Sequence, residues 1–175
     1  LDHFARLGLA PRFRLDVVDL ERRFRRFQSA VHPDRFATGS AVDRRLALKL
    51  AADGNEAYRI LRHPTRRAAY LCELRGAEVG AQTDTSLPTA FLEEQMVLRE
   101  RLDQIAGLDD GDPRRTLVRQ FGADLDEKAA ASRERVAQWL DDRNDAAAAA
   151  AEVRELMFYD KLREELERIG NRRDR

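Results

Sequence analysis

Between Asp16 and Val31, apolar side chains recur at spacings of three and four: Val17, Leu20, Phe24, Phe27 and Val31 form one stripe of a helix. Nearly every other segment repeats that period, and none alternates convincingly with a period of two, so the chain is committed to an all-α fold. The punctuation agrees. A short helix within Leu1–Leu9 carries Leu1, Phe4 and Ala5 on one face and ends at Gly8. Asp16 caps the second helix and Pro33 stops it. Ser40 caps a third, running to about Arg62, with Leu46, Leu50, Ala57, Tyr58 and Leu61 facing inward. Gly54 falls inside it, at a cost of about 1 kcal/mol relative to Ala. Pro64 suits the first turn of a fourth helix ending at Gly76.

Residues 77–88 read as a linker rich in turn formers. Thr89 then starts a helix to about Gly107, with Phe91, Gln95, Leu98, Leu102 and Ile105 pointing one way. Asp112-Pro113, a cap and a first-turn proline, opens a helix to about Leu140 in which Gly122 is a weak point. A last helix starts near Asp145 and carries Val153, Leu156, Leu162, Leu166 and Ile169; its run Ala146 to Ala151 reads as plain helix propensity. Three long amphipathic helices with short connections predict an antiparallel bundle.

At 175 residues the chain makes one compact domain or two small ones. Its single cysteine, Cys72, excludes a disulfide framework and a four-cysteine zinc site. No apolar run approaches the roughly 20 residues needed to span a bilayer, and no basic-then-apolar leader is visible, so a reducing, cytoplasmic setting is expected. His3, His32 and His63 have no partner at metal-ligand spacing, no phosphate-binding glycine loop occurs, and no serine sits in a nucleophile elbow. Binding rather than catalysis is predicted, with neither metal nor cofactor. The formal net charge of zero conceals an asymmetry. Residues 1–76 hold 16 Lys/Arg against 9 Asp/Glu, and the remainder holds 16 against 23, which suggests two surfaces for two partners.

On the basic half, Arg22, Arg25, Arg26 and Ser29 project opposite the apolar stripe and cannot all be paired within their own helix. Such a face gives fast, salt-sensitive association. A nucleic-acid partner is disfavoured, because the acidic half repels phosphates and no aromatic stacking platform accompanies the arginines. Immediately after this face stands His32-Pro33-Asp34. The order of short helix, basic helix, His-Pro-Asp loop, long helix and short helix, with Asn55-Glu56-Ala57-Tyr58-Arg59-Ile60-Leu61 and His63-Pro64 following, resembles a J-domain. That resemblance implies stimulation of ATP hydrolysis by a DnaK-like chaperone, with His32, Pro33 and Asp34 as the trigger loop and Arg22, Arg25 and Arg26 docking on an acidic surface. Arg35 keeps the charge where the family usually has Lys. Arg44, Arg45 and Lys49 either extend this surface or are ordinary solvated charges.

There is no Gly/Phe-rich stretch and no repeated Cys-x-x-Cys; the chain as a whole resembles the HscB family, J-type co-chaperones of iron–sulfur cluster assembly. The carriers are Phe4-Ala5-Arg6-Leu7-Gly8-Leu9, His32-Pro33-Asp34-Arg35-Phe36, the run Leu61 to Leu71, the run Phe91 to Glu100, and Phe158-Tyr159-Asp160-Lys161-Leu162. The resemblance implies an L-shaped protein with a J-domain at 1–76, a linker at 77–88 and a C-terminal three-helix bundle at 89–175. The implied partners are an HscA-type DnaK-like chaperone for the J-domain and an IscU-type scaffold for the bundle, in a bacterial cytoplasm. Scaffold binding falls to Leu92, Met96, Glu100 and Phe158. Helical projection adds that Leu92 and Met96 lie about 100–140° around from Phe91, so that with Phe158 they form an exposed apolar patch or else pack against the J-domain or cover the linker. Glu93 stands where the family often has an apolar residue, Val97 where it often has an acid, and Gln104 where some members have one. Those departures imply a scaffold contact with weaker electrostatics. Gly54 replaces a bulky core residue, which implies a looser third helix. A J-protein serving a different client is the alternative.

Overall fold

The computed structural model of the chain describes residues 1–32, 40–80 and 88–171; Pro33, Asp34, Arg35 and Phe36 lie outside the described residues. The architecture is all-helical, and no strand occurs among the described residues. The helices are α1 (His3–Arg6), α2 (Val17–Val31), α3 (Ala41–Arg62), α4 (Pro64–Leu74), α5 (Thr89–Ala106), α6 (Asp112–Ala137) and α7 (Ala146–Asn171). A single π-helical turn, Gln138–Asp142, closes α6. Asp16 accepts from the N–H groups of Val18 and Asp19, and Ser40 with Asp43 forms a reciprocal capping box. Asp112 is not the cap of α6: Gly111 precedes the helix and Asp112 already lies in its first turn.

α2 and α3 form an antiparallel hairpin in which Glu21 faces Tyr58 and Arg62, and Gln28 faces Asn55. Their approach is close. A Cβ on Gly54 would sit 2.1 Å from Cε1 of Phe27, so the glycine is a socket for that ring rather than a loosened spot. The same closeness selects small residues for the contact face: Ala47, Gly54 and Ala57 are buried, while Leu46 is turned aside and 55% exposed. Val17, at the open end of the stripe, and Leu1 are also exposed, and Phe4 and Leu7 bury the first helix instead. Phe24 stacks on Tyr58 with ring centroids 4.1 Å apart.

The buried side chains fall into two clusters. In the first, Phe4, Phe13, Leu20, Leu61 and Leu71 pack with Val136, Leu140, Ala149 and Val153 from the end of α6 and the start of α7. Ala146, Ala149 and Ala150 are buried there, so the alanine run is a packing surface on which α4 and α7 meet, beyond its helix propensity. Polar bonds reinforce this joint. The Asp141 carboxylate accepts from the backbone N–H groups of Phe13 and Arg14, both at 2.7 Å. The hydroxyl of Thr65 donates to Asp160 at 2.6 Å, and Arg75 donates to the carbonyls of Leu140 and Pro11. Arg67 is buried and donates to the carbonyls of Phe13 and Leu61; burial lowers its pKa to about 10. Val79, in the segment read as linker, is buried too.

The second cluster is the bundle interior. Phe91, Leu98, Leu102 and Ile105 of α5 meet Phe121 and Leu125 of α6 and Leu156, Tyr159, Leu162 and Leu166 of α7. Polar contacts across the helices give the directions: Glu94 faces Lys128 and Arg101 faces Asp124 on α6, while Glu94 meets Tyr159 and Arg99 faces Glu165 on α7. Thus α5 runs parallel to α7 and antiparallel to α6. Gly122 is buried under the Arg163 guanidinium, 3.4 Å from where its Cβ would lie.

Candidate functional site: two docking faces

The first face is the outer surface of α2. Arg22, Arg25 and Arg26 are all exposed. Arg22 pairs with Asp19 one turn back, and Asp19 also binds Arg23 at 2.7 Å. Hydrogen bonds from Arg23 and Arg22 hold the Asp19 carboxyl below its usual range. Arg25 reaches Glu21 only at 3.8 Å. The face is therefore partly neutralised along its own helix but keeps its guanidinium groups in water. His32, exposed, is the residue on which α2 ends, in extended backbone. It borders a hollow of about 720 Å³ that opens between α2 and α3.

The second face lies on α5 and α7. Leu92 is 42% and Met96 74% exposed, one turn apart, so neither packs into the bundle or beneath the first four helices. Glu93 and Glu100 are exposed beside them. Phe158 is half-buried. Its ring meets Phe91 edge-on at 5.7 Å and Tyr159 at 6.0 Å, and the Arg99 guanidinium lies over it at 5.6 Å. Phe158 thus joins the patch to the bundle interior, and its edge rather than its whole face is available. Below it the Tyr159 hydroxyl donates to Glu94 at 3.1 Å, and burial together with Glu94 pushes the phenol pKa up.

Projection along the helix left two further apolar side chains of α5 and α7 unassigned. Val97 and Met157 are also exposed apolar side chains. Val97 was legible as an apolar residue beside Met96; Met157 gave no signal, because it lies one position from the half-buried Phe158. Arg99 as the cover of Phe158 was not legible either, since that contact joins residues of two helices.

Burial drives the Cys72 thiol up to about 11, which keeps it protonated and unreactive. Among the described residues no group of three His, Cys, Asp or Glu side chains is placed to hold a metal ion, and no described helix is long and apolar enough to cross a membrane.

Comparison with known proteins points one way. A family model described as the HSCB C-terminal oligomerisation domain matches residues 87–167. The co-chaperone protein HscB homolog of Bordetella petrii is 44% identical over 94% of this chain and 94% of its own length. That of Burkholderia mallei is 40% identical over 94% of this chain and 91% of its own. Among solved structures, the chaperone HscB from Vibrio cholerae superposes with a TM-score of 0.81 at 34% identity, covering 97% of each chain. Human co-chaperone protein HscB shares the fold at a TM-score of 0.84 and 24% identity, over 95% of this chain and 81% of the human one.

Proposed function

Because the chain belongs to the HscB family of co-chaperones, which are not enzymes, we propose that it couples an HscA-type DnaK-like chaperone to an IscU-type iron–sulfur scaffold. Residues 1–76 act as the J-domain and stimulate the chaperone's ATPase. Residues 89–175 act as the scaffold-binding bundle, with 77–88 joining the two. The iron–sulfur cluster is cargo carried by the scaffold and is not held by this chain. The setting is the bacterial cytoplasm.

The observation that supports this reading most is the arginine face of α2 ending at His32, one residue before Pro33 and Asp34. Guanidinium groups kept in water cost little to hold there, and they accelerate encounter with an acidic surface. Arg22, Arg25, Arg26 and Arg35 supply that steering. His32, Pro33 and Asp34 supply the trigger, with Pro33 restricting how Asp34 is presented and Asp34 accepting a charge-assisted bond from the chaperone. At the other end Leu92, Met96 and the edge of Phe158 offer hydrocarbon to the scaffold, and Glu100 flanks them with negative charge. The same face suits self-association, which the description of the matched family model favours. Sedimentation of the chain alone separates that from scaffold binding.

The test is enzymatic on the chaperone's side. His32→Gln and Asp34→Asn variants are expected to abolish stimulation of the chaperone's ATPase while binding the scaffold normally. Stimulation at the wild-type level would overturn the docking assignment.

A further inference from the structure

The seam between α2 and α3 shares Arg25 with the outer face of α2 and carries its own recognition pattern. Glu21, Arg25, Gln28 and His32 follow one another at three- and four-residue steps along α2, and Ala51, Asn55, Tyr58 and Arg62 do so along α3. The two rows face each other. Gln28 and Asn55 meet amide to amide at 3.5 Å, and the Tyr58 hydroxyl donates to Glu21 at 3.5 Å. A hollow of about 720 Å³ opens at the hairpin tip over Val31 and Ala51, and another of about 420 Å³ at its base beside Tyr58 and Arg62. From Ala51 to Arg62 the seam runs about 16 Å, the length of about five extended residues.

The charges along it favour an anionic occupant. Arg25 and Arg62 lie on opposite walls with side chains 78% and 61% exposed, and Arg59 and Arg66 border the lower hollow. The carboxylates are fewer. Glu56 is paired with Arg59. Glu21 is shared between Arg25 at 3.8 Å and Arg62 at 4.0 Å, too far for a good bond to either. Such long, solvated pairs exchange easily. Exposed amides at the middle suit the backbone of an extended peptide, and the Val31–Ala51 floor suits a small apolar side chain.

We propose that this seam is a groove for an extended acidic segment of the chaperone partner, in which Glu21 stands in for the carboxylate the segment brings. The proposal rests on the J-domain reading and adds a contact beyond Arg22, Arg26 and the trigger loop, with Arg25 common to both. An incoming carboxylate bridges Arg25 and Arg62 at bonding distance and displaces Glu21 toward the Tyr58 hydroxyl.

The test uses the full chain, isotope-labelled, titrated with a synthetic peptide alternating Asp and Leu and with its Lys-for-Asp counterpart. The expected result is saturable shifts of the Gln28 and Asn55 side-chain amides with the acidic peptide only. Glu21→Gln should tighten binding about threefold at low salt, because it removes the internal competitor. Ala51→Trp should block binding and raise the concentration needed for half-maximal chaperone stimulation by about tenfold; Asn55→Asp, which keeps the shape and adds a negative charge, serves where the Trp variant fails to fold. Shifts confined to the outer face of α2, looser binding by Glu21→Gln, or concentration-dependent shifts without peptide from a second copy in the seam would overturn the proposal. His32→Gln is run in parallel. If it abolishes stimulation while the seam variants leave it intact, the groove is wrong and the docking reading stands; if it too has no effect, both fall.

Discussion

Along α2 the exposed side chains include Arg22, Arg25 and Arg26; along α5 they include Leu92, Met96 and Val97. An arginine in water is at rest, whereas an exposed leucine or methionine gives up the free energy it would gain by burial. The first surface therefore acts at a distance, through the rate of encounter, and its strength depends on ionic strength. The second acts on contact, by removing hydrocarbon from water. The supporting structures differ in the same sense. The hairpin behind the arginines is held by close contact at Gly54 and Ala57, while the patch is held by aromatic edges among Phe91, Phe158 and Tyr159. Each face can thus be damaged without touching the other.

The largest effect is expected at Gly54. Replacing it with Val puts a carbon within 2.1 Å of Phe27 Cε1 and 2.7 Å of Cδ1, so the ring must leave its socket. A cost of about 3 kcal/mol is expected, seen as a lower midpoint of thermal unfolding and as lost chaperone stimulation. Scaffold binding below that midpoint should persist. An unchanged midpoint would show that the hairpin is not set by this contact.

Gly54 also shows where the sequence stops being readable. The caps at Asp16 and Ser40 were legible because each acts on N–H groups two or three residues away. The all-helical fold was legible because its period is local. Leu46 was assigned inward, and Ala146–Ala151 to propensity, because nothing local tells a helix how closely its neighbour approaches; small residues there record a contact, not a preference. Rotation about one helix put Leu92 and Met96 on a face apart from that of Phe91, but did not tell whether that face is covered. The contacts of Arg67, Asp141 and Arg99 were not legible, since their partners lie more than 50 residues away along the chain.

Next in size is Met96→Asp. At 74% exposure the side chain contributes little to the bundle, so helicity and unfolding midpoint should hold while scaffold affinity falls by about 2 kcal/mol, roughly thirtyfold by calorimetry. Phe158→Ala is the contrasting variant. It removes an edge contact to Phe91 and the surface under Arg99, so it should lower bundle stability as well as affinity. Equal losses of stability in both variants would erase the distinction between patch and interior.

A smaller effect separates the faces in wild type. Raising ionic strength from about 0.05 to about 0.5 M should slow chaperone association several-fold and change scaffold affinity much less, because the arginine surface acts mainly through screened charge and the patch mainly through hydrocarbon. Stopped-flow mixing and calorimetry measure the two. A salt-insensitive association rate would remove α2 from the encounter.

Acid makes the last and smallest distinction. On the hairpin the Asp19, Asp43 and Glu56 carboxyls are held below their usual values, Asp19 by Arg23 and Arg22, Asp43 by Ser40, and Glu56 chiefly by Arg59. A carboxyl whose pKa is depressed by folding contributes stability that is complete above its unfolded value, here 3.8 for Asp and 4.5 for Glu, and that is lost as pH falls through the folded value. In the bundle Glu155 is shifted the other way. Burial and then Glu152 raise its pKa, against the pull of Arg135, so its ionised form opposes folding and protonation relieves that penalty. Acidification from neutrality should therefore first favour the bundle, as Glu155 takes up its proton above 4.5, and then weaken the first turns of α2 and α3 below about 4. Urea midpoints of wild type and Glu155→Gln measure the first step. Wild type should gain on the variant as pH falls toward 4.5, and a gap that stays constant would mean that the carboxyl is not the titrating group. Amide signals of Val18, Asp19 and Asp43 followed to lower pH measure the second, since the N–H groups of all three are bound by the cap side chains Asp16 and Ser40. Loss of the bundle signals before these would reverse the order that the two environments require.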